Sequence, residues 1–432
     1  MSFDRLYALE QFGIKLGLGN IRTLAEALGH PERSYATVLI AGTNGKGSVA
    51  AMVERALRAA GHRTGRYTSP HLVRLEERFA VAGTEIDSAT LADVVGDVLD
   101  LEARARQDGR LLAPPTFFEA TTAAAFELFR RQGVEIAVVE VGLGGRFDAT
   151  NIVTPLATAI VSVDFDHMAQ LGRTLADIAY EKAGTLRPNV PCVLGELPAE
   201  ALRVVERVAD EVGAPLVPAA EGVACGVAPG AEGRWAVDID TPTRHYGPVT
   251  LALAGAHQVG NALVAVRLLE ALDAQGWQVD PASVATALGD VDWPGRLQLV
   301  TLDGGRQVLV DAAHNPAGAR ALAAHLSRVF PERVPVVFGV SADKDAAGML
   351  RALGPVSSGI VATEFGGTRA MPAADVAASA EAVLPGRVRV VTPARAALDA
   401  ALATSPRVCV AGSIFLLGEL LPELERRRSH PA

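Results

Sequence analysis

Eight short runs rich in Val, Ile and Ala, at residues 37–41, 136–141, 157–163, 308–311, 334–340, 360–364, 388–391 and 408–411, alternate with longer stretches of helical period. Most are followed by a glycine and then a helix. That alternation leaves the chain few choices. Parallel strands need long crossovers, and a helix is the crossover that satisfies its own backbone, so the pattern predicts an α/β fold built on parallel sheets. At 432 residues the chain exceeds what one hydrophobic core usually supports, which predicts two domains. The rhythm breaks at Asp290-Val-Asp-Trp-Pro-Gly-Arg296, where a Pro-Gly pair precedes a fresh set of strands. The expected division is 1–292 and 297–432, with 293–296 as linker. Residues 220–250 lack helical period and read as an antiparallel excursion with turns, and the tail at 425–432 is expected to fray.

Composition narrows the function classes. A net charge of −9 argues against general affinity for nucleic acid or an anionic membrane, both of which attract basic surfaces. No run of 18 apolar residues occurs, and residues 1–11 carry Asp4 and Glu10 with no apolar signal region. Cys192, Cys225 and Cys409 show no Cys-x-x-Cys spacing for zinc and read as buried thiols in a reducing compartment. A cytoplasmic protein is expected.

The sharpest local signal runs from the apolar residues 37–41 through Gly42-Thr-Asn-Gly-Lys-Gly-Ser48 into a helix ended by Gly61. Backbone N–H groups at such a helix start point at an anion, the glycines let phosphate oxygens approach, and Lys46 supplies charge for the β- and γ-phosphates. Ser48 is placed for a phosphate or for Mg²⁺. The spacing departs from the generic phosphate loop: Ile40 stands where its first glycine belongs, and Gly47 separates the lysine from the serine. The bland reading is a tight turn whose glycines serve packing. The larger unit is therefore expected to be a P-loop-type domain with a mainly parallel sheet, and the smaller C-terminal unit a Rossmann-like α/β domain.

Two further strand ends carry polar groups. Glu140 closes a buried strand ahead of Gly142-Leu-Gly-Gly-Arg146, and a carboxylate there must be paired or must ligate something, which makes it the first Mg²⁺ ligand expected. A dinucleotide fingerprint fails because Phe147 occupies its last glycine position. The strand at 157–163 empties into Asp164-Phe-Asp-His167, at the sheet edge where α/β proteins bind ligands. His167 is a second metal-ligand expectation, against the alternative of a surface loop histidine. Thr174-Leu-Ala-Asp177 reads as a capping box opening a helix that carries Glu181 and Lys182, and a lysine in a last helical turn is ordinarily solvated.

Taken together, GTNGKGS (42–48), TSPHL (68–72), FFEATT (117–122), EVGLGGRFDATN (140–151), Asp166-His167 with Leu171-Gly172, EKAG (181–184), AHQVGNA (256–262), PGR (294–296) and DAAHNP (311–316) resemble the Mur ligase superfamily. Within it they resemble folylpolyglutamate synthase and bifunctional dihydrofolate synthase, with motifs in order from about residue 12 to 418. The resemblance implies an ATP- and Mg²⁺-dependent carboxylate–amine ligase that extends a folate with L-glutamate, and in bifunctional members joins glutamate to dihydropteroate. It implies that Ser69 and Glu140 hold one Mg²⁺ and that His167 and Lys182 serve a second, the lysine being carbamylated, and it allows a monovalent cation. It further implies that Gly42, Thr43, Asn44, Gly45, Lys46, Gly47, Ser48, Asn261, Arg296 and Asp311 bind ATP, with His314 near the phosphates and Lys46, His167, Lys182 and His314 in the chemistry. Thr116, Phe118, Arg146, Phe147, Asp148 and Ala149 are the implied substrate contacts. A monomer in one-carbon metabolism is expected, with small molecules rather than macromolecules as partners.

There are departures from the pattern. Lys15 stands where bifunctional relatives tend to carry an acid, which bears on dihydropteroate, and Ala312 stands where a glycine is common. Three other readings remain open on sequence: a Mur-type ligase acting on a UDP-linked cell-wall precursor, a P-loop phosphotransferase that makes no amide, and a nucleotide-dependent binding module.

Overall fold

The computed structural model describes residues 2–13, 15 and 17–428. Ile14 and Leu16 beside Lys15, and residues 429–432 of the tail, lie outside the described residues.

Eight strands form the first sheet: β1 (Ala36–Ala41), β2 (Thr64–Tyr67), β3 (Phe79–Val81), β4 (Thr84–Glu85), β5 (Ile136–Glu140), β6 (Ala157–Ile160), β7 (Cys192–Leu194) and β8 (Leu216–Pro218). Their order is β4-β3-β2-β5-β1-β6-β7-β8, parallel except for the β2-β3-β4 edge. Helices cover both faces, which is why β5 and β6 are buried along their whole length and read as continuous apolar runs. One face packs Leu39, Tyr67, Phe126 and Phe129, and the other Val38, Ile40, Met52 and Leu268. Each such side chain contributes about 1.5–3 kcal/mol when fully buried.

An antiparallel sheet of β9 (Ala224–Pro229), β10 (Trp235–Asp240) and β11 (His245–Thr250) follows, as the turn-rich stretch predicts. The last sheet holds β12 (Gln298–Thr301), β13 (Gln307–Asp311), β14 (Val334–Phe338), β15 (Ser357–Ala362), β16 (Val388–Val390) and β17 (Arg407–Ala411) in the order β12-β13-β17-β14-β15-β16. Only β12 runs antiparallel. The architecture is thus α/β with two parallel-rich sheets, a larger N-terminal unit and a smaller C-terminal one.

All eight expected strands are present, but β2, β3, β4, β7, β8 and β12 carry no comparable signal in the sequence. They have two to four residues each, and β2 is Thr-Gly-Arg-Tyr, so pairing rather than composition makes them strands. Two expectations need correction. The tail does not fray within the described residues: Arg427 bonds Glu423 and Asp399, and Arg428 bridges Leu302. Cys192 and Cys409 are buried, but Cys225 is half-buried, because β9 is an edge strand with an outward face.

In the first sheet β1 lies between β5 and β6, so the chain order reverses there and the loops leaving the carboxyl ends of these strands diverge into a crevice. In the last sheet β17 lies between β13 and β14 in the same way. Ligands of α/β folds bind at such points, and in this chain both crevices open into one cleft between the sheets.

Candidate functional site

The cleft has a volume of about 930 Å³ and takes its walls from both units. Its floor is the phosphate loop. Gly45 precedes the Lys46–Ala59 helix with φ +84°, a left-handed conformation that glycine adopts without steric cost. A Cβ there would stand 2.5 Å from Asn261 Oδ1 and 2.9 Å from Val161 Cγ1. At Gly47 a Cβ would lie 2.8 Å from Trp293 Cζ2, so that tryptophan packs directly on the start of the helix. These glycines serve close approach as well as packing, and the cradle suits a phosphate chain.

Lys46 Nζ donates to the carbonyls of Gly42 (3.1 Å) and Thr43 (3.2 Å) and lies 3.8 Å from Glu140 Oε1. The β1–β5 register sets that approach by pairing Ile40 with Glu140. Burial pushes the Glu140 carboxyl above its usual range, and Lys46 opposes the shift. Ser69 N donates to Glu140 Oε2 at 3.2 Å, bringing together the pair expected around one metal. Among the described residues no group of three or more His, Cys, Asp and Glu stands ready to hold an ion. One carboxylate and one hydroxyl nevertheless fit Mg²⁺, which keeps much of its shell for water and substrate phosphate oxygens.

Lys182 overturns the expectation of a solvated lysine: it is 2 % exposed and lines the cleft. Burial, reinforced by the charge of Lys46, lowers its pKa from 10.5 to about 7. An amine in that state is neutral enough to take up CO₂, and this chemistry fits a carbamate.

His167 sits in the left-handed region at φ 47° in the loop after β6, at the N-cap of the Met168–Leu171 turn of helix, and burial lowers its pKa to about 4. Its Nε2 accepts a hydrogen bond from Lys344 Nζ at 3.1 Å, so that nitrogen would have to exchange partners to ligate a metal. Lys344 also donates to Asp166 Oδ1 at 2.5 Å. On the other Asp166 oxygen, Oδ2, converge His314 Nε2 at 3.3 Å and Asn315 Nδ2 at 3.1 Å. Burial acts to raise the Asp166 carboxyl, but the His314 hydrogen bond and the charges of His314, His167 and Lys344 win and hold it well below the usual range.

The remaining nucleotide-side expectations meet in the same cleft. Asn261 donates to Gln258, which donates to Ser48 Oγ. Asp311 accepts from Leu297 N and Ala313 N, both at 2.8 Å, and burial raises its carboxyl against the charge of Arg296. Of the implied substrate contacts, Thr116, Phe118, Phe147, Asp148 and Ala149 line the cleft. Thr116 also caps the Phe117–Arg131 helix, and Asp148 binds Leu143 N and Thr150, which shapes the glycine loop. Arg146 is placed differently: its guanidinium lies 4.0 Å over the Tyr180 ring and donates to Tyr180 O.

Lys344, Gln258 and Arg369 also line the cleft, and Asn315 stands behind it, bonded to Asn44 and Asp166; sequence reasoning passed over all four. Lys344 had a usable signal, an Asp-Lys pair just beyond a predicted strand at the edge where ligands bind. Asn315 and Gln258 stand inside two of the motifs, DAAHNP and AHQVGNA, but their partners appear only when distant segments meet.

Comparison with known proteins defines the class first. Residues 295–414 match the Mur ligase, glutamate ligase domain. The chain is 37% identical over 401 residues to the dihydrofolate synthase/folylpolyglutamate synthase of Mycobacterium tuberculosis, covering 89% of this chain and 82% of the relative. The structure of the Mycobacterium tuberculosis folylpolyglutamate synthase complexed with ADP superposes with a TM-score of 0.90 at 33% identity, covering 99% of each chain. A bifunctional folylpolyglutamate synthase/dihydrofolate synthase with Mn, AMPPNP and L-glutamate bound superposes with a TM-score of 0.84 at 29% identity, covering 98% of each. The chain belongs to the folylpolyglutamate synthase/dihydrofolate synthase family.

Proposed function

We propose that this chain is an ATP-dependent ligase that adds L-glutamate to the γ-carboxylate of a folate. A carboxylate oxygen attacks the γ-phosphate of ATP, giving an acyl phosphate and ADP. The amine of L-glutamate then attacks the activated carbonyl, phosphate leaves, and an amide results. The observation that carries this reading is the meeting of the phosphate loop with Glu140, Lys182, Asp166 and His314 in one cleft.

Lys46 offsets charge on the β- and γ-phosphates, and Asn261, Arg296 and Asp311 hold the nucleotide from the far side. Phe118 and Phe147 offer apolar faces to the pterin side of the substrate. Ser69 and Glu140 would hold one Mg²⁺, and His167 with carbamylated Lys182 a second, the ions supplying charge neutralisation between phosphate oxygens. Positioning can contribute roughly 7–11 kcal/mol to such a transfer. The reading divides the chain at 293–296 and places closure about Trp293 and Arg296. It also places the enzyme in the cytoplasm, supported by three free cysteines, and as a monomer. A monovalent cation beside the phosphates belongs to the same reading.

ADP release with ATP, Mg²⁺ and glutamate, compared for tetrahydrofolate, dihydropteroate and no pterin, tests it. One glutamyl unit added to tetrahydrofolate is the expected product, and the dihydropteroate arm reads the effect of Lys15, which lines the cleft. Turnover only with a UDP-linked peptide precursor, or a phosphorylated product without an amide, would overturn it.

A further inference from the structure

We propose that Asn315 is a positioning residue that couples the phosphate loop to the cleft wall of the C-terminal unit through a reciprocal amide pair with Asn44. The inference rests on the ligase reading for what is coupled, and on geometry alone for the coupling. Asn315 is 2 % exposed, and its amide uses its whole capacity of two donors and two acceptors. Oδ1 accepts from Gly318 N at 2.9 Å and from Asn44 Nδ2 at 3.3 Å. Nδ2 donates to Asn44 Oδ1 at 3.0 Å and to Asp166 Oδ2 at 3.1 Å.

Only the Gly318 bond is a helix cap, at the start of the Pro316–Val329 helix. Serine or aspartate caps equally well, so capping does not call for an amide. The other three bonds do. They join segments 271 and 149 residues away in sequence, one from the phosphate loop and one from the loop that follows β6. Asn44 is itself pinned to the first sheet, its N donating to Ser162 Oγ and its carbonyl accepting from the same hydroxyl, both at 2.9 Å. Asn315 adjoins His314 and shares Asp166 with both His314 and Lys344. A shift of the loop on filling with nucleotide therefore reaches His314 and Lys344, both in the cleft wall, through Asn315 and Asp166.

The test is a double-mutant cycle of Asn315→Ser, which keeps the cap, and Asn44→Ala. Expected is a fall in kcat for amide formation on the order of tenfold for N315S, with ATP affinity within about threefold of wild type. The double variant should fall no further than the worse single variant, because both remove one connection. Turnover of N315S within about twofold of wild type, or losses that multiply in the double variant, would overturn the proposal. Amide exchange in the first turn of the Pro316–Val329 helix supplies a readout independent of turnover. ATP should slow it in the wild type and not in either single variant, and an unchanged response in N44A would also overturn the coupling. Absence of folate-dependent ADP release from the wild type would sink the ligase reading alone, leaving the exchange result to judge the pair.

Discussion

Replacing Lys182 by methionine should make the protein more stable and the enzyme inactive. The side chain is buried, and its pKa falls from 10.5 to about 7, chiefly through desolvation. At 1.36 kcal/mol per pH unit that fall corresponds to roughly 5 kcal/mol held against the folded state when the amine is charged. The sign follows from proton counting. Below about pH 7 both states bind the proton and the whole penalty is present. Between about 7 and 10.5 only the unfolded state binds it, so stability rises with pH, and above that range nothing more is gained. Methionine keeps the volume and removes the charge. Urea unfolding in CO₂-depleted buffers should find K182M more stable than wild type at pH 6, by up to about 5 kcal/mol, with the gap closing by up to about 1.4 kcal/mol per pH unit above pH 7. Bicarbonate at pH 8 should stabilise the wild type and leave K182M unchanged. Parallel pH profiles for the two proteins would refute the reasoning, because they would mean that Lys182 is not desolvated.

Lys46→Ala should lose on the order of 10²-fold in turnover, about 3 kcal/mol, as removal of one preorganised electrostatic donor does; single-turnover ADP release measures it, and near wild-type rates would end its phosphate role. Gly45→Ala forces a residue with a Cβ into φ +84° and against Asn261, so ATP affinity should fall at least about tenfold while the circular dichroism spectrum is kept. Chelation by EDTA should abolish ADP release and added Mg²⁺ or Mn²⁺ should restore it, whereas Glu140→Gln should raise the Mg²⁺ concentration for half-maximal rate by about tenfold or more. Equal metal dependence of E140Q and wild type would remove Glu140 from the metal.

Much of the site was legible in the chain because its chemistry is carried by short, contiguous segments. Strand, glycine turn and helix in residues 37–61 specify a phosphate cradle from local propensity alone, and Glu140 announces itself by closing β5, whereas His167 stands in the loop beyond β6. The short strands β2, β7 and β8 were not legible, since three or four residues carry too little pattern and acquire strand geometry only from their neighbours. Arg146 is a related case. A motif says which residue types are present, but the packing of Tyr180 decides where the guanidinium goes.

By itself the sequence determined the α/β class, the phosphate loop and the separation into two sets of strands, because each follows from periodicity and turn chemistry over a dozen residues. The tertiary structure alone decided the state of Lys182 and the role of Asn315. A lysine at the end of an amphipathic helix is solvated or buried according to what covers it, and here the cleft wall covers it and lowers its pKa to about 7. Asn315 becomes a connection only because Asn44, 271 residues away, is folded to within hydrogen-bond reach, a proximity that no local rule contains.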